Sequence, residues 1–257
     1  MNRALIVIVA LLLVCCADRS NTDRTKAADQ IHVATQSPTP SAPDFLKTGD
    51  RAVVTTETEI PPEFRDIDFK NFTYPITYNM AYAAGLRSHS VQLKDGKHEY
   101  PAQVGGTTYD LNQVTYTDLI GDGRKQAVVR LSQVVCGVSC DGGTDIFYFY
   151  ATNRGRPLLL SRMEIGSYAD ECGLKSFILS KRDLDVETYR ACKFLGAKFV
   201  PSYSDSEERG GKLSTNRYTK FRLYFDGVRF IQRERRVFKY PDDYDYRSNE
   251  RKIEISN

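Results

Sequence analysis

Residues 146–163 read IFYFYATNRGRPLLLSRM, two β-prone apolar runs that flank the turn-forming segment Asn153–Arg156. Aromatic and aliphatic residues on both sides of a short Gly-containing segment are typical of a β-hairpin. We therefore predict that Ile146–Ala151 and Pro157–Met163 are paired antiparallel strands.

Three other places repeat this arrangement, and no comparable window shows a convincing apolar period of 3.6 residues. Several short strands at a spacing of about ten residues indicate an all-β fold. The predicted fold class is therefore all-β, a single antiparallel β domain built as a sheet or sandwich of hairpins. The three further turns are Asp95-Gly96 between Val91–Lys94 and Lys97–Tyr100, Lys181–Asp183 between Phe177–Ser180 and Leu184–Tyr189, and Asp226-Gly227 between Phe221–Phe225 and Val228–Gln232.

The composition supports an ordered domain of moderate size. The chain has 257 residues with 16 Tyr and 13 Phe, and all but five of these aromatics lie between Glu63 and Val237. With 36 Lys and Arg against 33 Asp and Glu, the net charge is +3, which argues against a strongly basic nucleic-acid-binding module. No nucleic-acid partner is therefore expected.

The N-terminal residues have the pattern of an export signal. One basic residue, Arg3, precedes the uninterrupted apolar run Ala4–Val14, which is followed by Cys15 and Cys16. A run of this length is too short to span a bilayer comfortably as a helix. Residues 1–16 are therefore predicted to be a secretory signal peptide.

The end of this segment, Leu13-Val14-Cys15-Cys16, resembles the bacterial lipoprotein signal, in which a Leu lies three residues before an invariant Cys. The resemblance implies that Cys16 is the lipid attachment residue and the first residue of the mature chain. Ordinary cleavage nearby is the alternative. Both interpretations predict an exported protein of the bacterial periplasm or cell envelope, and the first also predicts a membrane anchor.

Composition divides the rest of the chain into three parts. Residues 17–62 contain one aromatic residue and a Pro-rich stretch, so they are predicted to be a disordered tether. Residues 63–237 form the predicted β domain. Residues 238–257, which mix Tyr with charged residues, are predicted to be an extended C-terminal tail that can add one terminal strand.

A loop rich in Asp and Gly lies inside the predicted domain. The segment Asp118–Gly123, followed by Ala127-Val128-Val129, resembles the FG-GAP and VCBS type of β-repeat. The resemblance continues into the 146–163 hairpin and is shared with a group of uncharacterised bacterial envelope proteins. It implies one blade-like repeat unit, and one unit cannot close a propeller, so a sheet or sandwich fits better than a ring.

In its metal-binding form this motif has oxygen ligands at loop positions 1, 3, 5 and 9. Three of these positions correspond to Asp118, Asp122 and Gln126, but position 3 is the apolar Ile120. Because Ca²⁺ takes six to eight oxygen ligands, these residues are only weak candidates for a metal site. The preferred interpretation is a tight turn in which the Asp side chains bond the backbone, and no metal or other cofactor is predicted.

Four cysteines follow the signal segment: Cys136, Cys140, Cys172 and Cys192. An even number in an exported chain predicts two disulfides, for which three pairings are possible. We favour Cys136 with Cys140 and Cys172 with Cys192, because the second pair brackets a predicted hairpin turn symmetrically. A three-residue turn would let these two face each other, whereas a two-residue turn would place them on opposite faces. A Zn²⁺ site is disfavoured because it needs close ligand pairs.

No arrangement of residues indicates a catalytic site, and no catalytic residue is assigned. The chain has three His, and its acidic residues crowd predicted turns and the tail, where a solvated surface is their expected role. The predicted function is a non-catalytic binding or structural module of the envelope with a protein or glycan partner. The alternative is a glycan-directed envelope hydrolase that uses two carboxylates in a cleft, about 5 to 10 Å apart.

Overall fold

A computed structural model gives the architecture of the β domain, in which strands predominate, as the all-β prediction requires. The predicted signal peptide, the predicted tether up to residue 58, and Cys140 lie outside the described residues. In the described part of the chain, no helix is both long enough and apolar enough to cross a membrane. The described residues are 59–77, 89–101, 106–136, 142–166, 172–202, 217–240 and 252–256.

Two single-turn 3-10 helices, Pro62–Phe64 and Phe69–Asn71, precede the first described strand. The strands in chain order are β1 (Thr73–Pro75), β2 (Ser90–Gln92), β3 (Lys97–Pro101), β4 (Gly106–Thr117), β5 (Gln126–Cys136), β6 (Gly142–Asn153), β7 (Arg156–Gly166), β8 (Leu174–Ser180), β9 (Asp183–Tyr189), β10 (Cys192–Phe194), β11 (Phe199–Pro201), β12 (Arg217–Phe225), β13 (Phe230–Lys239) and β14 (Lys252–Ser256).

These strands form two five-stranded sheets and two short ribbons, β1-β2 and β10-β11. The first sheet has the order β3-β4-β5-β6-β7 and is antiparallel throughout. The second has the order β13-β12-β9-β8-β14, and only its β14-β8 pair is parallel. Part of the predicted C-terminal tail therefore belongs to a sheet.

The two sheets pack face to face over an apolar core, which we call the inter-sheet core. Phe147 of β6 stacks on Phe177 of β8, with ring centroids 4.0 Å apart and an interplanar angle of 3°. Phe149 and Phe230 make a second contact between the sheets at 4.8 Å. Stacked aromatic pairs of this kind add to the stabilisation that comes from burial alone. The domain is thus a sandwich, one of the two predicted architectures.

The opposite face of the first sheet is also covered. Phe64, Phe69 and Tyr74, which belong to the segment 59–77, pack against Tyr116, Tyr148 and Tyr150 of the sheet. Because both of its faces are buried, strands such as β5 and β6 have nearly continuous apolar sequences. The second sheet is different, since its outward residues alternate with the apolar ones.

A buried ion pair lies between the sheets. Arg130 of β5 follows Val128 on the face that points to the inter-sheet core, and Asp145 precedes Phe147 on the same face of β6. The Nη2 and Nε atoms of Arg130 donate to Asp145 Oδ1 at 2.8 and 3.0 Å. The two side chains are only 3% and 0% exposed. Neither residue was singled out from the sequence.

The four predicted turns have different outcomes. The turn after β6 is confirmed, because Asn153 pairs with Arg156 and both residues between them have positive φ. The Asp226-Gly227 turn is wrong in length: four residues separate the paired Phe225 and Phe230. The Asp226 carboxylate accepts hydrogen bonds from the backbone N–H groups of the second and third residues after it, and this stabilises the longer loop.

The Asp95-Gly96 prediction is right about the turn and wrong about the hairpin. Both residues have positive φ, and a single bridge joins Lys94 to Lys97. The flanking strands then separate, since β2 pairs with β1 and β3 pairs with β4. Val91 is fully buried beneath the tyrosines of the first sheet, so tertiary packing and not the turn decides its pairing.

Candidate binding face on the second sheet

The outward side chains of β9, β12 and β13 form one polar surface. In β9, Leu184 and Val186 point into the inter-sheet core and the acidic residues alternate with them. In β12, Phe221 and Leu223 point inward and basic residues alternate with them. This period of two is the geometry of a half-buried strand. We define the charged face as the outward residues Asp185, Glu187, Lys220, Arg222, Glu234 and Arg236.

Cross-strand register places opposite charges side by side on this face. Arg222 lies opposite Asp185 on β9 and Glu234 on β13. Its Nε atom donates to Asp185 Oδ1 at 3.1 Å, and this hydrogen bond raises the pKa of the Arg222 guanidinium. Glu234 also pairs with Arg236 two residues further along the strand. Both carboxylates of this row are therefore paired with an arginine, and one of these, Arg236, belongs to the neighbouring row.

The neighbouring row is centred on Lys220, which lies opposite Glu187 and Arg236. Lys220 Nζ is 2.6 Å from Glu187 Oε1, and this hydrogen bond raises the pKa of Lys220. Lys175 of β8 approaches the other oxygen of Glu187 at 3.4 Å. Pairs at this degree of exposure contribute at most about 1 kcal/mol each to folding stability. Stability alone therefore gives little reason for so ordered an array.

Aromatic rings lie at both ends of the charged face. Tyr218 stacks on Phe238 with centroids 5.1 Å apart, and Lys220 Nζ lies 5.7 Å from each of these rings. Near the hairpin end, the Arg233 guanidinium lies 3.7 Å from the centroid of Tyr224. Such cation–π contacts fix the long basic side chains in place. The charged face is therefore ordered before any ligand arrives.

An open cavity of about 430 Å³ occupies the centre of this face. Its polar lining is the charged face itself, and Ile178 and Phe238 supply apolar wall. Ligand pockets commonly have volumes of about 300 to 1,000 Å³ and combine apolar surface with a few oriented polar groups. The volume of the cavity thus falls within the range of ligand pockets.

The carboxylates of the charged face are all engaged in ion pairs. Asp185 pairs with Arg222, Glu187 with Lys220, and Glu234 with Arg236. The face therefore presents carboxylate acceptors side by side with basic donors.

Five tyrosines lie away from the charged face. Tyr74, Tyr109, Tyr116, Tyr148 and Tyr150 are all buried against the first sheet. Burial raises the pKa of each of their hydroxyl groups. These five therefore belong to a core layer, and the rings that border the charged face belong to β12 and β13.

The Asp118 loop is a self-contained turn. Asp118 accepts hydrogen bonds from three backbone N–H groups, those of residues 121, 122 and 123, at 2.6 to 3.1 Å. Asp122 accepts from the backbone and the guanidinium of Arg124, which lowers the pKa of its carboxyl group. Gln126 uses its side-chain oxygen for the N–H of Ile120. This is the turn that the sequence favours, with each candidate metal ligand engaged inside the loop.

Within the described ranges, no group of three or more His, Cys, Asp or Glu side chains is placed to hold a metal ion. The loop instead contacts the second sheet through Arg182, whose Nε atom donates to the carbonyl oxygen of Ile120 at 2.5 Å. Arg182 also donates to the Tyr224 hydroxyl at 3.0 Å, which raises the pKa of the guanidinium. The predicted repeat-like loop therefore links the two sheets.

The Cys172–Cys192 disulfide is confirmed, with Cα atoms 6.0 Å apart. The reason given from the sequence is wrong, because the hairpin turn has two residues and Ser180 pairs with Asp183. Both cysteines lie outside the β8-β9 ladder, so its register does not decide which way they point. Cys136 is also disulfide-bonded. Its predicted partner lies outside the described residues.

Comparison with known proteins finds no matching family model, no matching curated protein and no matching solved structure. The site must therefore be interpreted from its own geometry. What that geometry supplies is an ordered, exposed and nearly neutral array of hydrogen-bonding groups, bordered by aromatic rings.

Proposed function

We propose that this chain is a non-catalytic binding module of the bacterial cell envelope and that its charged face holds the partner. The observation that carries the proposal is the cavity of about 430 Å³ on an exposed sheet face, between ion-paired side chains and Phe238. The partner is a protein or a glycan. The segment Leu13-Val14-Cys15-Cys16 supports export and attachment to a membrane through Cys16.

The ordering of the charged face supports recognition by this surface. Lys220 and Arg222 are fixed by carboxylates on the neighbouring strand and are still about half exposed, at 47% and 56%. Polar groups that are already oriented lose little conformational entropy when a partner binds. They also provide many donors and acceptors at low net charge, which gives specificity more than long-range attraction.

No specific observation favours the hydrolase alternative. It needs two carboxyl groups across a cleft, one of them protonated, and each carboxylate of the cavity is ion-paired. The proposal keeps the glycan of that alternative only as one class of partner.

We expect the double substitution Lys220→Ala and Arg222→Ala to reduce partner capture from envelope extract at least tenfold, because anchors at the centre of an interface carry most of the binding energy. The melting temperature should change little, since both pairs are exposed. A quantitative pull-down with the full chain, with and without Ca²⁺, measures the effect.

The matched control is Lys94→Ala with Lys97→Ala, which removes two exposed cations beside the first sheet. Equal capture by both double variants would contradict the proposal. Capture that requires Ca²⁺ and is lost in Asp118→Asn would assign the binding site to the Asp118 loop instead.

A further inference from the structure

Four hairpin turns, two from each sheet, meet at one end of the sandwich. Arg182 lies in the β8-β9 turn and contacts two of the others. Its Nε atom donates to the carbonyl oxygen of Ile120 in the β4-β5 turn, and its carbonyl oxygen accepts from the N–H of Phe225, which directly precedes the β12-β13 turn. The contact between Phe149 and Phe230 places the other turns at the same end. The turns comprise residues 118–125 (β4-β5), 154–155 (β6-β7), 181–182 (β8-β9) and 226–229 (β12-β13).

This end of the sandwich, which we call the basic end, is rich in positive charge. Its turns and the residues that directly flank them carry seven cationic and four acidic side chains. The cationic residues are Arg124, Lys125, Arg154, Arg156, Lys181, Arg182 and Arg229, and the acidic ones are Asp118, Asp122, Asp183 and Asp226. Seven cations and four acids give the basic end a charge of +3. This equals the net charge of the entire chain, so the rest of the chain is neutral overall.

The carboxylates of the basic end are engaged with neighbouring groups. Asp118 accepts three backbone hydrogen bonds, and Asp226 accepts two. The hydrogen bonds to Asp226 lower the pKa of its carboxyl group. Asp122 is paired with Arg124, Asp226 lies 3.9 Å from Arg229, and Asp183 lies 3.7 Å from Arg233. These pairs leave Arg154, Arg156 and Lys181 as the cations to consider.

Those cations point into solvent. Arg154, Arg156 and Lys181 are exposed and have no carboxylate partner in the part of the chain that the structure describes. Apolar side chains are exposed beside them: Val228, at the tip of the β12-β13 loop, is 72% exposed, and Leu158, three residues after the β6-β7 turn, is 50% exposed. Basic residues around exposed apolar tips are the pattern of surfaces that bind lipid interfaces.

We propose that the basic end is a docking surface for a membrane with anionic lipid headgroups. Unpaired cations complement the headgroup phosphates, and Val228 gains by entering the apolar boundary below them. A soluble polyanion would satisfy the cations but would leave the exposed valine in water. The inference does not rest on the charged face. If Cys16 carries a lipid, this contact is a second attachment that fixes which end of the domain faces the bilayer.

The test compares binding of the full chain to phosphatidylglycerol-containing vesicles with binding to neutral phosphatidylcholine vesicles. The measured quantity is the ratio of the two binding constants, anionic over neutral. This ratio cancels the contribution of the apolar N-terminal segment, which is the same for both kinds of vesicle. Substituting Arg154, Arg156 and Lys181 by Gln should lower this ratio by roughly 100-fold, the effect expected when three cations leave an anionic surface. The control replaces Lys193, Lys198 and Lys239, exposed cations away from this end, by Gln and should change the ratio less than about threefold.

Because the chain contains no Trp, Val228→Trp provides a single fluorescent reporter. We expect its emission to shift to the blue with anionic vesicles and to return in 0.5 M salt, which screens headgroup attraction. Equal losses in the two triple variants, or binding indifferent to anionic lipid, would overturn the proposal. Binding to inorganic polyphosphate as tight as to vesicles, without a blue shift at residue 228, would also overturn it and identify a soluble polyanion.

Discussion

Asp145→Asn is expected to lower the free energy of unfolding by about 3 to 5 kcal/mol, because it removes the charge of the carboxylate that pairs with the buried Arg130 guanidinium. The two side chains are 3% and 0% exposed and lie in the inter-sheet core. Urea unfolding of the wild type and the variant, with equal slopes, measures the difference.

The control for this prediction is Asp185→Asn, which breaks the exposed pair with Arg222 and should cost far less stability than the buried substitution. The double variant Arg130→Met with Asp145→Leu should recover much of the lost stability, since no unpaired charge remains. Equal losses of unfolding free energy for Asp145→Asn and Asp185→Asn would contradict the prediction that the buried ion pair stabilises the core.

The second large effect is expected from removal of the Cys172–Cys192 disulfide. The bonded residues are 20 positions apart and both are fully buried. The chain-entropy relation for a loop of this length gives a loss of about 3 kcal/mol when the cross-link is absent. Chemical unfolding of Cys172→Ala with Cys192→Ala, under oxidising conditions that keep the Cys136 disulfide, measures it.

Reduction distinguishes the effect of the Cys172–Cys192 disulfide from that of the Cys136 disulfide. The wild type should lose stability when dithiothreitol is added, and the double-alanine variant should lose much less. A double-alanine variant as stable as the oxidised wild type would contradict the account of this bond.

Local turns and strand identities could be predicted from the sequence, because they depend on neighbouring residues. Arg154 and Gly155 lie at the centre of the expected turn Asn153–Arg156, since both adopt positive φ and the flanking residues favour strands. The same reasoning failed at Asp95-Gly96, where the turn formed but the hairpin did not. Val91 of β2 is buried against the first sheet, and β2 pairs with β1. Turn chemistry determines local geometry, and burial determines which strands pair.

Long-range pairings could not be predicted in this way. Strand β14 pairs with β8 across more than 70 residues of sequence, and its parallel register has no local signature. The hydroxyl of Thr117 donates to the carbonyl oxygen of Ser256 at 2.7 Å, a contact between residues 139 positions apart. Such contacts depend on the final packing of both sheets, which a single sequence does not reveal.

The charged face and the buried ion pair did leave signals in the sequence. Alternation of acidic and apolar residues in β9 and of basic and apolar residues in β12 indicates facing rows of opposite charge, once the strands are known to be neighbours. Arg130 interrupts an otherwise apolar run, and Asp145 precedes another. A charge within such a run calls for a partner. What the sequence lacks is the register that joins each pair.

The central claim, that the charged face holds the partner, is tested most directly by photo-crosslinking in the native envelope. Phe238 is replaced by p-benzoylphenylalanine on the face, and Tyr100, a half-buried aromatic residue of the first sheet, is replaced in the control. The account predicts a discrete adduct from position 238 that disappears in the Lys220→Ala, Arg222→Ala background, and none from position 100. An adduct from position 100 alone, or an adduct at 238 that survives the double substitution, would contradict it.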